Sequence, residues 1–208
     1  MALTVYIVRH AQSTSNAMEN NLGSDAELTP LGVEQARKIA ARARRLSFEV
    51  ILSSDFQRAL QTAEIIKLCT RKKILITPLL REEKHPSELI GKGPNNPRVA
   101  QVKRLLRKNR DRKHWHFSDE ENFFDLKRRM IKLMKFLERR KERNVLVVGH
   151  VMATRMLVGL MIFGENLTPT LFYKMRERMA IWNTGIIAAQ FSDRQWKLLT
   201  WNDYGHLG

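Results

Sequence analysis

The chain has 208 residues, enough for one large domain or a domain with an insertion, and 43% hydrophobic residues indicate a globular class. Its formal net charge of +16 favours anionic partners: phosphorylated metabolites, nucleic acid or an anionic membrane surface. The single cysteine, Cys69, excludes an internal disulfide, and we expect it to be a small core residue on a helix. The N-terminus lacks the features of a signal peptide, so a cytoplasmic location is expected.

The longest apolar stretch, residues 145–163, is not predicted to span a membrane. His150 and Arg155 lie near its middle, where charged groups are costly in lipid. We interpret the stretch as a buried strand, a turn and a helix, and we expect no membrane span.

The first part of the chain alternates strands with helices. Thr29 is the expected N-cap and Pro30 the expected first residue of a helix that reaches about Leu46. The other elements predicted here are a strand over 3–8, a strand over 49–53, a helix over 56–68 and a short strand over 74–76.

A charged segment, roughly residues 80–143, separates these elements from the last strands. Helices are predicted over 97–108, 120–140, 151–163 and 167–176, and strands over 145–148, 180–191 and 196–201. Strands that alternate with helices predict an α/β fold with a mainly parallel sheet. We expect one domain over 1–208, with a helical insertion at approximately 80–143.

Polar groups directly follow three of the predicted strands. Arg9 and His10 follow the first strand, Arg58 begins the helix after the second, and His150 follows the strand at 145–148. Open parallel sheets bind ligands at the carboxyl ends of their strands. Two histidines, two arginines and a helix N-terminus would form a cationic pocket suited to a phosphoryl group.

These residues stand in motifs that resemble those of the histidine phosphatase superfamily, also called the phosphoglycerate mutase-like family. The motifs occur in the family's order as RHAQSTSN from Arg9 to Asn16, LTPLG at 28–32, SSDFQRALQTA at 53–63 and a late Gly149-His150. Ala11 stands where the family usually has glycine, a mild departure. The resemblance covers nearly the whole chain and implies a three-layer α/β/α fold, phosphoglycerate mutase-like.

The resemblance also implies the roles of the site residues. His10 would be the nucleophile that forms a phosphohistidine, and Glu82 would be the proton donor and later the base, with Glu83 as its rival. The residues expected around the phosphoryl group are Arg9, Asn16, Arg58 and His150, and the further candidates are Gln12, Ser13, Gly23, Glu83 and Val151. The arginines should disfavour protonation of His10 and bind the phosphate oxygens.

The sequence favours a phosphatase over a mutase, and it leaves the substrate open. Glycolytic mutases carry a longer stretch after the catalytic Glu than the EEKHPSELIGKGPNNPRV found here. No metal or cofactor is implied, because no metal-ligand spacing is present. The candidates for recognition of the leaving group are His85, Ser87, Glu88, Lys92 and Arg98.

An alternative of another class is a basic protein associated with nucleic acid. The segments 103–113 and 127–143 are dense in Lys and Arg and could bind nucleic-acid phosphates non-specifically. Motifs that read RNA are absent, and the basic residues are not regularly interleaved with aromatic ones.

Overall fold

The computed structural model describes residues 2–20 and 23–208. Its strands are β1 (Leu3–Arg9), β2 (Val50–Ser53), β3 (Lys73–Ile76), β4 (Asn144–Gly149), β5 (Ile186–Ser192) and β6 (Gln195–Asp203). They form one sheet in the order β3-β2-β4-β1-β5-β6. The first four strands in this order run parallel to one another, and β5 and β6 add an antiparallel edge. The predicted mainly parallel sheet is confirmed.

Helices cover both faces of this sheet. They are α1 (Thr14–Ala17), α2 (Pro30–Ala43), α3 (Gln57–Thr70), α4 (Pro97–Asn109), α5 (Phe123–Glu138), α6 (Val151–Phe163) and α7 (Pro169–Arg178). Alternate strand residues point to opposite faces. Val5 and Ile7 pack against α5, α6 and α7, whereas Val8 and Ile51 pack against α2 and α3. The three-layer α/β/α fold expected from the sequence is therefore confirmed.

The start of α2 follows the capping chemistry expected from the sequence. The Thr29 side chain accepts a hydrogen bond from the Gly32 N–H, and Pro30 is the first helical residue. The predicted end was too late, because the helix stops at Ala43.

Two other expectations from the sequence were wrong. Strand β5 starts at Ile186 rather than at residue 180, since the chain turns at 182–185, where Thr184 has a φ of 59° and the Gly185 N–H donates to Trp182. Cys69 is exposed on α3 rather than buried in the core, because it lies in the last turn of that helix, next to the exposed Lys67 and Leu68.

The charged segment 80–143 contributes residues to two separate hydrophobic clusters. Helix α5 buries Leu126 and Met130 in the main core beside α6. Helix α4 instead packs Val99 and Val102 against Leu89 in a small separate cluster. The description of 1–208 as one domain with a helical insertion stays a prediction.

The apolar stretch 145–163 folds as expected, as β4, a turn and α6. Within residues 2–20 and 23–208, the helices are too short or too polar to cross a bilayer. The cytoplasmic location stays a prediction.

Candidate active site

The predicted convergence of polar groups occurs at the carboxyl ends of β1, β2 and β4. The register of the strands causes this convergence, because Arg9 of β1 pairs with Gly149 of β4, and Ser53 of β2 pairs with Val148 of β4. His10 and His150 each directly follow their strand, and their ring centroids lie 5.0 Å apart. Both rings are buried.

The ring of His10 is held at both nitrogens. Its Nδ1 lies 2.7 Å from the carbonyl oxygen of Ala11, and the Arg58 Nε–H donates to its Nε2 at 3.2 Å. A carbonyl can only accept, so Nδ1 carries the proton and Nε2 presents a lone pair. Burial lowers the pKa of His10 well below its ordinary value, and the charges of Arg58 and Arg9 lower it further. His10 is therefore a neutral imidazole whose Nε2 lone pair accepts a hydrogen bond from Arg58.

His150 forms the second buried imidazole of the site. Its Nε2 lies 2.9 Å from the hydroxyl oxygen of Ser54, while its Nδ1 has no hydrogen-bond partner among the described residues. Burial lowers the pKa of His150 well below its ordinary value, and the neighbouring His10 and Arg58 act in the same direction. An unpartnered buried nitrogen beside His10 is available to a ligand.

Two arginines add positive charge beside these rings. Arg9 donates from Nη1 to the carbonyl of Ile181 at 2.7 Å, and its Nε has no partner in the described part of the chain. Arg58 donates from Nη1 to the carbonyl of Gly23 at 2.8 Å. Burial lowers the pKa of both guanidiniums, and the Glu82 carboxylate opposes that effect. Glu82 therefore lies within the electrostatic reach of both arginines.

The polar stretch after His10 forms one wall of the site. The Ser13 N–H and hydroxyl both donate to Asn16 Oδ1, at 3.1 Å each. Asn183 reaches across from the loop before β5 and donates to the His10 carbonyl at 2.8 Å and to Asn16 Oδ1 at 3.4 Å. Asn16 Oδ1 is thus fully used, which leaves its amide nitrogen for a ligand.

Gln12, another predicted site residue, is directed to the start of α2. Its N–H donates to Gln35 Oε1 at 2.9 Å, and its Oε1 accepts from the Thr29 hydroxyl at 2.7 Å. These contacts tie the polar stretch to α2 and do not reach the two histidines.

Glu82 and Glu83 face different surroundings. The Glu82 carboxylate lies at the N-terminus of α6, which begins at Val151, and accepts from the N–H groups of Met152 and Ala153 at 3.0 Å each. Burial raises the pKa of Glu83 to about 7, and the charge of Glu82 contributes to this rise. Glu83 lines a neighbouring cavity instead of the helix end.

That cavity has a volume of about 490 Å³ and is bounded by the loop after Glu82, by α4 and by α7. Of the residues predicted to recognise a leaving group, His85 lines it. The others lie outside it: Ser87 donates to Asp119, and Arg98 pairs with Glu88 at 2.9 Å on the surface. Lys92 is not part of its lining either.

Three residues of this region were missed as site residues in the sequence. Ser54 stands in the quoted SSDFQRALQTA motif, so its position after β2 could have indicated it. Asn183 fell within a predicted strand, which hid its role in the loop. Arg155 is buried on α6, and its Nε has no partner among the described residues.

Comparisons with known proteins bear on the family and the fold of the chain. The family profile of the histidine phosphatase superfamily (branch 1) matches residues 5–204. A relative named probable phosphoglycerate mutase GpmB, from Proteus mirabilis, is 42% identical over 81 residues, which are 38% of this chain and 38% of that protein. The match thus spans well under half of that curated relative.

Solved structures share the fold. The alpha-ribazole phosphatase from Shigella flexneri superposes with a TM-score of 0.79 at 18% identity, covering 97% of this chain and 96% of that one. A mutant phosphoserine phosphatase from Entamoeba histolytica, in complex with phosphoserine, superposes with a TM-score of 0.75 at 23% identity, covering 99% of each chain. With the profile match over nearly its whole length, the chain belongs to branch 1 of the histidine phosphatase superfamily, a family of enzymes.

Proposed function

We propose that the protein is a metal-independent phosphatase that hydrolyses phosphomonoesters through a phosphohistidine at His10. The observation that carries the proposal is the state of the His10 ring: Nδ1 is bound to the Ala11 carbonyl, and Nε2 is unprotonated beside Arg58. A neutral imidazole held in one orientation can attack phosphorus in line.

In the first step, His10 Nε2 forms a bond to phosphorus while the bond from phosphorus to the ester oxygen breaks. Arg9 and Arg58 offset the charge on the equatorial oxygens, since buried guanidiniums stabilise charge where it develops. His150 Nδ1, which has no partner in the described structure, and the Asn16 amide nitrogen are available to the same oxygens. The leaving oxygen takes a proton from Glu82, our candidate for the general acid.

In the second step, the Glu82 carboxylate accepts a proton from water as the water oxygen bonds to phosphorus. The phosphorus–nitrogen bond breaks, inorganic phosphate leaves, and His10 and protonated Glu82 are restored. The placement of Glu82 at the α6 N-terminus, within reach of the charges of Arg9 and Arg58, supports this assignment over Glu83.

Hydrolysis is preferred here to phosphoryl transfer between two positions of one substrate. The relative from Proteus mirabilis carries a mutase name, so a mutase reaction is the rival outcome. Incubation with 3-phosphoglycerate separates the two reactions: a phosphatase releases inorganic phosphate, and a mutase accumulates 2-phosphoglycerate. The nucleic-acid alternative stays a prediction without support from the site.

The test is hydrolysis of p-nitrophenyl phosphate by the wild type and by His10→Ala, with and without chelator. We expect chelator-resistant turnover that His10→Ala abolishes, and acid-labile phosphate trapped on the wild type after rapid quenching. Turnover that survives His10→Ala, or wild-type turnover with no acid-labile phosphoenzyme, would overturn the proposal. Lys67→Gln, an exposed change on α3, serves as the matched control.

A further inference from the structure

The cavity beside Glu83 neighbours the candidate active site. Glu83 directly follows Glu82 in the chain, His85 comes two residues after Glu83, and both line the cavity. The charge of Glu82 acts on the pKa of His85, which burial lowers. The leaving group of a substrate bound at His10 must lie on the Glu82 side, where its oxygen meets the proton donor. The cavity is therefore the space into which a leaving group would extend.

The lining of this cavity carries an excess of positive charge. Lys103, Arg104, Arg107 and Arg176 line it, and each lacks an ion pair in the described part of the chain. They come from two elements that both line the cavity, α4 and α7. A cleft lined by one sign of charge concentrates ligands of the opposite sign.

The acidic residues of the lining do not cancel this charge. Glu121 pairs with Arg129 at 2.6 Å, and Glu120 accepts from the backbone N–H groups of Phe117 and Ser118 at 2.6 and 2.8 Å. Lys84 pairs with Asp119 at 3.0 Å, so that couple is neutral. Backbone N–H groups are neutral, so Glu120 keeps its charge. Three acids of the lining without an ion pair among the described residues, Glu83, Glu120 and Glu177, thus stand against the four unpaired cations, and a positive excess remains.

A buried arginine of α6 lies within electrostatic reach of both the cavity lining and the candidate site. Arg155 of α6 is 4% exposed, and its Nη2 donates to the carbonyl of Met179 at 3.2 Å while its Nε has no partner in the described structure. Burial lowers the pKa of Arg155, and the charges that act on it include those of Glu82, Arg176 and Arg9. Burying a guanidinium with no carboxylate in contact costs free energy, and a bound anion would offset that cost.

We propose that the cavity binds the leaving group of the substrate and that this leaving group carries a second anionic group, held by Arg176 and the basic residues of α4. This inference rests on the proposed phosphatase function and adds the class of substrate: a phosphomonoester with a further carboxylate or phosphate. The cavity volume of about 490 Å³ is large enough for a leaving group of hexose size.

The test compares hexose-derived phosphates with and without a second anionic group. Glucose 6-phosphate has an uncharged leaving group, 6-phosphogluconate adds a carboxylate, and glucose 1,6-bisphosphate adds a phosphate. We expect kcat/KM, measured as phosphate release, to be at least tenfold higher for one or both charged substrates than for glucose 6-phosphate. A preference for 6-phosphogluconate alone identifies a carboxylate site, and a preference for the bisphosphate alone identifies a phosphate site.

Variants locate the preference in the cavity. Arg176→Gln and Arg107→Gln should each reduce the ratio of charged to uncharged kcat/KM by about tenfold. The matched controls are Arg178→Gln on α7 and Lys108→Gln on α4, both exposed and outside the lining, and they should keep the ratio. Equal kcat/KM for all three substrates, or a ratio that Arg176→Gln and Arg107→Gln leave unchanged, would overturn the inference.

The two proposals fail in different ways. If His10→Ala retains turnover of glucose 6-phosphate, the phosphohistidine mechanism is wrong whatever the substrate ratio. If His10→Ala is inactive and the wild type hydrolyses the three substrates equally, the mechanism stands and the anionic leaving group is wrong.

Discussion

The Arg58 Nε–H donates a hydrogen bond to His10 Nε2 at 3.2 Å, the same nitrogen that would attack phosphorus. This contact has two consequences. It requires an unprotonated Nε2, because Arg58 can only donate. It also places a guanidinium beside the position of a bound phosphoryl group, so that the Arg58 N–H can move from Nε2 to a phosphoryl oxygen as Nε2 attacks phosphorus.

Arg58→Gln should therefore affect both the rate and its pH dependence. We expect kcat/KM to fall about 10²–10³-fold, the usual effect of removing one donor to a transition-state oxyanion. Burial is the largest cause of the low pKa of His10, and the charge of Arg58 lowers this pKa further. Loss of that charge should therefore raise the pKa of His10. The acid limb of the kcat/KM profile should move to higher pH, and NMR titration of the His10 ring should show the same shift.

Lys67→Gln on the same helix controls for changes in helix charge, since Lys67 is exposed and pairs with Glu64. It should leave both the rate and the acid limb in place. An Arg58→Gln enzyme with a wild-type acid limb would mean that Arg58 does not set the protonation of His10.

Glu82→Gln should show a loss that depends on the leaving group. Alkyl phosphates need a proton on their leaving oxygen, whereas nitrophenolate leaves without one, so the first-turnover rate should fall about 10²–10⁴-fold for a sugar phosphate and far less for p-nitrophenyl phosphate. Rapid-quench measurement of phosphoenzyme formation with both substrates tests this. If Glu83→Gln shows this pattern and Glu82→Gln does not, the proton donor is Glu83.

The layered fold of this protein and the polar residues that follow its parallel strands could be predicted, because both depend on local sequence patterns. Apolar runs such as 145–148 and the Thr29-Pro30 cap signal their elements directly. The position of a polar residue after a parallel strand predicts its place at one edge of the sheet. His10, Arg58 and His150 were therefore expected near one another, and their contacts agree with that expectation.

Contacts between segments distant in the chain were not predictable in this way. Asn183 reaches His10 because the chain turns at 182–185, and that turn depends on a positive φ at Thr184, which has low intrinsic preference for it. The cavity forms between α4 and α7, which are far apart in sequence. Periodicity and propensity describe single elements and carry no information on such pairings.

Gly32→Ala should destabilise the protein, although glycine within a helix usually costs stability relative to alanine. A Cβ at Gly32 would lie 1.9 Å from the carbonyl oxygen of Gln12, so α2 and the polar stretch after His10 would have to separate. We expect a loss of about 1–3 kcal/mol in the free energy of unfolding, measured by denaturant titration. Gly93→Ala, where a Cβ would meet nothing within 4 Å, is the control and should be near neutral.

Glu83 should make the preference for an anionic leaving group depend on pH. Burial and the charge of Glu82 raise the pKa of Glu83 to about 7, with Glu121 acting in the same direction and Arg176 and Arg129 opposing it. Below pH 7 the carboxyl is neutral and the cations of the cavity act unopposed. Above pH 7 it ionises beside Arg176 and weakens the binding of an anion. The pKa of His85 is lowered by burial, so its ring carries less charge over this range than an ordinary histidine would.

The expected result is a fall in the ratio of kcat/KM for 6-phosphogluconate to that for glucose 6-phosphate between pH 6 and 8. A drop of roughly fivefold corresponds to about 1 kcal/mol, the scale of one added charge at a hydrated site. The ratio cancels the titration of the transferred phosphate and of His10, which both substrates share. Glu83→Gln should flatten the profile at its low-pH value, whereas Arg178→Gln should keep the wild-type slope. A slope that persists in Glu83→Gln would assign the pH dependence to another group.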